Sequence, residues 1–488
     1  MRLLEMILIV LLALDIVALL VPRARRGRWH SVLVAVTLVT LAAHLVVEGH
    51  RWQMLPVYGL TAVVALIAVL RRRGVHHPIA YQRKWGIRVA FVGTCVLILA
   101  GSTAVATLLP VPELPRPSGP YDIGTVTYSF VDSSRDEFYT ADPHDKRAFM
   151  AQVWYPASKD HGDTPEPWIE HADLFGPAIA HSFGLPGFLF DHIGLIQSHA
   201  YRNAPIADGG PFPVILYSHG WTGFREVNTD QVENLVSHGY VVICPDHTYG
   251  ALVTVFPDGR VVPYKPSAIP DIDKVGEAKY NAAVQRLVDA FVGDLAFLLD
   301  QTERWNSGED PSPFKGELDL NRIGVFGHST GGGATAEICA MDPRIKAALG
   351  MDIWAVPVSD DLLDKPKRLP FMMMDSEVWS SDKNTARQKR FWDSLKGPAY
   401  RMRIAGTRHN DFTLMPLASP LAPAMGLKGP LQGTRVVQIV NTYLLDFFDE
   451  YLQGKTEPLL EGPSKDFPEV RFTSRQGAPA PRPRHGAD

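Results

Sequence analysis

The sequence predicts a bundle of four transmembrane helices followed by an α/β domain, in which a mostly parallel sheet carries helices on both faces. Three observations lead there. Long apolar stretches crowd the first 109 residues, and short apolar runs alternate with helical patterns from residue 121 onward. Third, the run Gly327-His328-Ser329-Thr330-Gly331 falls between a strand-like segment and a helix of small residues.

The stretches 3–21, 31–47, 54–70 and 89–109 each approach the length a membrane-spanning helix needs, about 17–25 residues. A secretory leader would explain only the first. That stretch has one basic residue before it, no small-x-small cleavage pattern, and three further apolar runs behind it. Buried helices of a soluble domain are the competing reading, but arginine clusters bracket the runs as anchors at a membrane edge do. Arg23, Arg25, Arg26 and Arg28 follow the first stretch, and Arg71, Arg72, Arg73, Arg83, Lys84 and Arg88 follow the third; the opposite side has only Arg2 and Arg51. The positive-inside rule places both basic loops in the cytoplasm, and the N-terminus and everything after residue 109 outside a cell membrane.

Asp15 and His44 fall within the predicted spans. Helices one and two run in opposite directions, so the two residues lie at different depths and a packing or assembly role is expected rather than a direct pair. Cys95, Cys244 and Cys339 are too few for a disulfide framework and read as small core residues. Residues 110–120 hold five prolines, a stiff linker between a membrane domain (1–109) and a catalytic domain (121–472). Residues 473–488, rich in Pro, Arg, Gly and Ala, read as a disordered tail. The first 109 residues carry 12 Lys/Arg against 3 Asp/Glu, which leaves 36 against 49 in the rest. An acidic domain with no basic stripe offers no footprint for nucleic acid.

Strands are expected at 149–154, 214–217, 241–244, 323–326, 348–351, 371–374 and 402–404, and helices at 230–238, 275–302, 332–340, 385–395 and 436–452. Short strands buried on both faces need helices on both sides, which is the α/β architecture. Within it, Ser329 reads as the tip of a nucleophile elbow, a strand-turn-helix unit that lifts a serine hydroxyl above the sheet. A glycine-rich helix N-terminus cradling phosphate is the duller alternative, but no lysine follows the glycines as a P-loop requires.

Serine is a poor nucleophile at neutral pH and needs an imidazole base and a carboxylate to orient it. His409, in the turn after the last parallel strand, is the candidate base. Two acids compete: Asp352 ends the strand after the nucleophile helix, and Asp375 ends the next. Spacing favours neither. Both precede His409, which gives the Ser, Asp, His order of an α/β-hydrolase. Acyl transfer also needs two N–H donors for the oxyanion, and the backbone of Trp221, just past strand 214–217, and of Thr330 are placed to supply them. His219 reads as a support for that loop. No metal-ligand spacing is present, and the mechanism requires no metal or cofactor.

Segments 153–156 (Val-Trp-Tyr-Pro), 218–225 (Ser-His-Gly-Trp-Thr-Gly-Phe-Arg), 237–240 (Ser-His-Gly-Tyr), 327–332 (Gly-His-Ser-Thr-Gly-Gly) and 349–354 (Leu-Gly-Met-Asp-Ile-Trp) together resemble the plasma-type platelet-activating factor acetylhydrolase family, itself related to dienelactone hydrolase-like esterases. The resemblance covers most of residues 121–450. It implies a serine esterase acting on short or oxidised acyl groups of phospholipids. It also implies an acid within Asp-x-Trp, the position of Asp352 and Trp354, with His409 as base and Trp221 and Thr330 as oxyanion donors. Trp221 and Thr330 replace an aliphatic and an aromatic residue of the family, and the helical anchor is foreign to the secreted enzyme. Alternatives are a broader carboxylesterase or polyester hydrolase, an acyltransferase, or a catalytically silent binding or sensing module. The apolar segment 174–196, with Phe183, Phe188, Leu189 and Phe190, is expected to be either a buried cap or a surface that dips toward lipid.

Overall fold

A computed structural model describes residues 1–21, 29–72, 81–160, 162 and 164–475. The chain divides into two compact units: Met1–Pro112 with Ile179–Ile196 and Ala418–Leu421, and Glu113–Ala178 with Gln197–Leu417 and Ala422–Asp488.

The first unit is built on helices α1 (Leu3–Ala18), α2 (Trp29–Val47), α3 (Leu55–Arg72) and α4 (Tyr81–Leu108). Three stretches, not four, are long and apolar enough to cross a membrane: Trp29–Val47, Trp52–Leu70 and Trp85–Leu108. The first stretch fails because its helix stops after 16 residues, and at about 1.5 Å per residue it falls short of a hydrocarbon core about 30 Å thick. Its buried face also carries two acids, Glu5 and Asp15. Glu5 is held by a two-pronged pair from Arg51, both contacts at 2.7 Å, and by Arg2. Arg51 therefore does not serve as a loop anchor; it is buried, and it also donates to the Ala106 and Leu109 carbonyls at the end of α4. Asp15 accepts from Thr37 Oγ1 at 2.7 Å, whereas His44 bonds Glu48 and the Tyr58 hydroxyl, so the two ionisable groups noted in the sequence have separate partners. Glu5, His44 and Glu48 bring ligand atoms within 4.8 Å of one another, but the arginines on Glu5 already supply the cationic charge a metal would bring. Of the basic loops that set the expected orientation, Arg23, Arg25, Arg26, Arg28 and Arg73 lie outside the described residues.

In the same unit the turn-rich segment Gly187–Leu195 sits against the start of α3: Trp52 Nε1–H donates to the Leu189 carbonyl at 3.3 Å, and Gln53 pairs with His192 at 3.0 Å. Phe183 and Phe188 remain largely exposed. Earlier in the apolar segment, Phe175 is buried against Phe224. The stretch 174–196 is thus cap at one end and exposed aromatic surface at the other.

The second unit holds a ten-stranded sheet in the order β12-β11-β10-β9-β8-β4-β5-β2-β1-β3. Its strands are β1 (Asp122–Asp136), β2 (Lys146–Ala157), β3 (Ala200–Arg202), β4 (Phe212–Ser218), β5 (Val241–Asp246), β8 (Leu318–His328), β9 (Ile345–Met351), β10 (Phe371–Val378), β11 (Ala399–Arg408) and β12 (Val470–Arg475); β6 (Val253–Val255) and β7 (Val261–Pro263) form a separate hairpin. The six central strands, β5 through β11 in sheet order, are parallel, while β2, β1 and β12 pair antiparallel at the margins. Strand β12 extends to Arg475, three residues into the expected tail, whose remainder lies outside the described residues.

The apolar runs in the sequence are continuous because both faces of each strand are covered. Val214 and Leu216 belong to one core cluster, and Ile215 and Tyr217 to the other. The first cluster packs under α7 (Glu277–Ser307), α8 (Thr330–Met341) and α9 (Asp382–Ser394), the second under α6 (Thr229–Ser237) and α10 (Gly433–Phe448); α5 (Ala172–Ser182) is the remaining helix of note. The chain leaves β4 for β5 on one side and returns to β8 on the other. Their C-terminal ends flank the crevice where α/β sheets place their chemistry.

Candidate active site

Ser329 occupies the single residue between β8 and α8, with φ 56° and ψ −114°, a backbone conformation that L-residues rarely adopt. The turn is held from below: Ser329 N–H donates to the Met351 carbonyl at 2.9 Å, and its own carbonyl accepts from Gly333 and Trp354 N–H. Glycine is obligatory at Gly331, where a Cβ would lie 2.0 Å from the Ser218 carbonyl oxygen. The end of β4 is therefore pressed directly on the elbow.

His409 opens a one-turn helix after β11, and its Nδ1 bonds Asp352 Oδ2 at 3.0 Å. Asp352, with φ 42° just past β9, is fixed in turn by the Ser376 backbone N–H at 2.8 Å and hydroxyl at 2.7 Å. The alternative acid, Asp375, is not brought to the histidine. Adjacent residues on a strand point to opposite faces, so Ser376 reaches Asp352 while Asp375 turns away to Arg401 Nε at 2.5 Å.

The imidazole of His409 is sandwiched. Trp379 stacks on one face, centroids 4.1 Å apart and planes at 11°, and the His328 ring lies 4.4 Å from it. His328 Nε2 also bonds the His409 carbonyl at 3.0 Å, which ties the base loop to the residue before the serine. Burial holds the His409 imidazole below its ordinary range, so the ring is neutral and can accept a proton. Burial also raises the Asp352 carboxyl, against the opposing bonds from Ser376. Among the described residues Ser329 Oγ has no hydrogen-bond partner; the bond to His409 is open, as apo hydrolase sites often are.

The loop after β4 passes over the serine. A Cβ on Gly220 would lie 3.1 Å from Ser329 Cβ, and the Trp221 N–H that follows has no acceptor among the described residues. The Thr330 N–H is the first of α8, one of the donors a helix cannot satisfy internally. The Trp221 ring packs edge-on to Tyr264, at 5.6 Å. His219 is fully buried and hydrogen-bonds the Gly220 carbonyl and the His247 N–H. His328 stands within the Gly327–Gly331 run, yet no local signal in the sequence marks it, Ser376 or Trp379 as neighbours of His409 and Asp352. Cys244 and Cys339 are buried, and burial raises both thiols, Cys339 to about 12.

Comparison with known proteins agrees with this architecture. A model of the family "Platelet-activating factor acetylhydrolase, isoform II" matches residues 108–269 and 298–460. The chain is 23% identical over 359 residues to platelet-activating factor acetylhydrolase of Cavia porcellus, covering 70% of this chain and 78% of that protein. It is 26% identical over 412 residues to a protein of Arthroderma benhamiae named "Probable 1-alkyl-2-acetylglycerophosphocholine esterase", covering 78% and 98%. Among solved structures, a ferulic acid esterase from Streptomyces cinnamoneus superposes with a TM-score of 0.61 and 26% identity, over 74% of this chain and 99% of that one.

Proposed function

The chain belongs to the platelet-activating factor acetylhydrolase, isoform II family and is a carboxylic ester hydrolase, and on that premise we propose that it is a membrane-anchored serine esterase working through Ser329, His409 and Asp352. The observation that carries the reading is the 3.0 Å bond between His409 and Asp352 beside a serine held in elbow geometry. Ser329 Oγ attacks the ester carbonyl carbon while its proton passes to His409 Nε2. The carbonyl oxygen becomes an oxyanion facing the Trp221 and Thr330 N–H groups. Collapse breaks the bond to the leaving alcohol, which takes the proton from His409, and acyl-Ser329 remains. Water then gives His409 a proton, attacks the acyl carbon, and releases the carboxylic acid and free serine.

The substrate class proposed is phospholipid or a similar ester with a short or oxidised acyl group, in keeping with the family. The relation to a ferulic acid esterase favours, as a second reading, a broader carboxylesterase. The anchor is the helical unit. Without the first predicted span, the basic loops before α2 and after α3 alone still put the end of α4 outside the cytoplasm. The two basic residues on the opposite side, Arg2 and Arg51, are ion-paired with Glu5. Exposed Phe183, and exposed Phe188 against Trp52 at the head of a candidate span, suit the aromatic belt of a membrane interface.

Fluorophosphonate labelling of the wild type and Ser329→Ala, paired with hydrolysis of p-nitrophenyl esters of increasing acyl length, tests this. Labelling lost in the variant, activity reduced by about 10⁶, and turnover falling with chain length are expected. Turnover sustained on long or aromatic acyl groups would favour the broader esterase. Full activity of Ser329→Ala would end the mechanism.

A further inference from the structure

A second Ser-His-Asp constellation lies behind the first. Ser218, the last residue of β4, hydrogen-bonds His247 Nε2 at 2.9 Å, and His247 Nδ1 bonds Asp294 Oδ2, on α7, at 3.0 Å. All three residues are fully buried, and the His247 ring stacks on Phe291 with centroids 3.7 Å apart. No ester can reach Ser218, so a second nucleophile is excluded on access alone.

Its connections point elsewhere. Asp294 is clamped by Arg147 Nη2 at 2.6 Å and Nε at 3.0 Å and by Arg135 at 2.8 Å, which makes it a fixed anion. That anion takes the Nδ1–H of His247. Nε2 is then the acceptor and Ser218 Oγ–H the donor. The His247 backbone N–H donates to His219 Nε2 at 3.1 Å, so His219 carries its proton on Nδ1 and gives it to the Gly220 carbonyl at 2.7 Å. Three consecutive residues, Ser218, His219 and Gly220, are thereby tied to one buried anion. The next N–H along the chain is that of Trp221, and Gly220 itself lies against Ser329 Cβ.

We propose that Ser218, His247 and Asp294 form a positioning relay that fixes the peptide of Trp221 as an oxyanion donor. The relay touches no substrate. It acts through the loop, and it rests on the reading of Ser329 as nucleophile and Trp221 N–H as donor. A donor held firmly in place costs no reorganisation when charge develops on the carbonyl oxygen, and a loosened one forfeits part of the 10²- to 10³-fold that such donors typically contribute.

The test is Ser218→Ala, which removes one hydroxyl, and His247→Asn, which keeps an N–H for Asp294 but cannot reach Ser218. Each is purified as the full chain and assayed on p-nitrophenyl acetate, with thermal unfolding followed in parallel. The expected result is a drop in kcat of about tenfold with KM within about twofold, and an equal slowing of fluorophosphonate labelling at Ser329, since the phosphoryl oxygen uses the same donors. A purely structural role would lower the unfolding temperature and leave kcat of the folded protein unchanged; that outcome overturns the relay while labelling at Ser329 stands. Wild-type protein that does not label at Ser329 would overturn the relay together with the reading beneath it.

Discussion

Two Ser-His-Asp sets sit in one unit of the chain, with His–Asp contacts of 3.0 Å in each, and their surroundings differ. At Ser329 the serine sits in a strained turn, its hydroxyl has no partner, and its acid is held by the neutral donors of Ser376. At Ser218 the serine is an ordinary strand residue, its hydroxyl is taken up, and its acid is locked by arginines. Residue types and bond lengths therefore do not distinguish the set proposed for catalysis from the sealed one. What distinguishes them is exposure, 9% at Ser329 against none at Ser218, a serine left without a partner, and a base whose partner carboxylate is hydrogen-bonded by Ser376 rather than by arginine.

The comparison can be broken most decisively at the acids. Asp352→Asn is expected to lower kcat by about 10⁴, because the histidine loses the partner that fixes its tautomer. Asp375→Asn, which disturbs only the pair with Arg401, should fall within about tenfold of wild type; a reversal of the two in steady-state assays would move the acid to β10. At the sealed set the large effect is on stability instead. Asp294→Ala takes from buried Arg147 its two-pronged carboxylate and leaves it Glu137 alone, and should destabilise the fold by about 3 kcal/mol, read from urea unfolding.

A smaller effect sharpens the contrast through pH. The His409 value is depressed, so the catalytically competent neutral ring persists to lower pH than that of an exposed histidine. His409 and Asp352 titrate as a unit, and the acid limb of kcat/KM should fall below the ordinary imidazole value of about 6.5. A limb at 7 or above would mean that Asp352 stabilises the imidazolium more than burial opposes it.

Much of the site was legible because its signals are local. The elbow is written in five consecutive residues, and the strand before Ser329 and the helix after it follow from short-range periodicity. The long apolar helices were legible by the same means, with one exception: the first stretch has apolar length in sequence, but Glu5 and Asp15 face inward and its helix ends at Ala18. Arg51 misled for a related reason. In the sequence it looks like a loop anchor, and its buried pairing with Glu5 depends on how α1 packs beside α3.

The choice between Asp352 and Asp375 was beyond composition and spacing, and only the resemblance to a family favoured one. In the structure it is decided by the register of β9 against β10, which pairs Met351 with Met374 and turns Ser376, not Asp375, toward the acid of the preceding strand. The second Ser-His-Asp set had no sequence signal at all, since Ser218, His247 and Asp294 come from a strand end, the loop after another strand and a helix, separated by dozens of residues. By itself, then, the sequence determined what short-range forces encode: long apolar helices, strands, amphipathic helices and a strained turn around one serine. Which acid meets the histidine, and which serine hydroxyl is taken up by a partner, was decided only when strand order and register set side chains from distant segments within hydrogen-bonding reach.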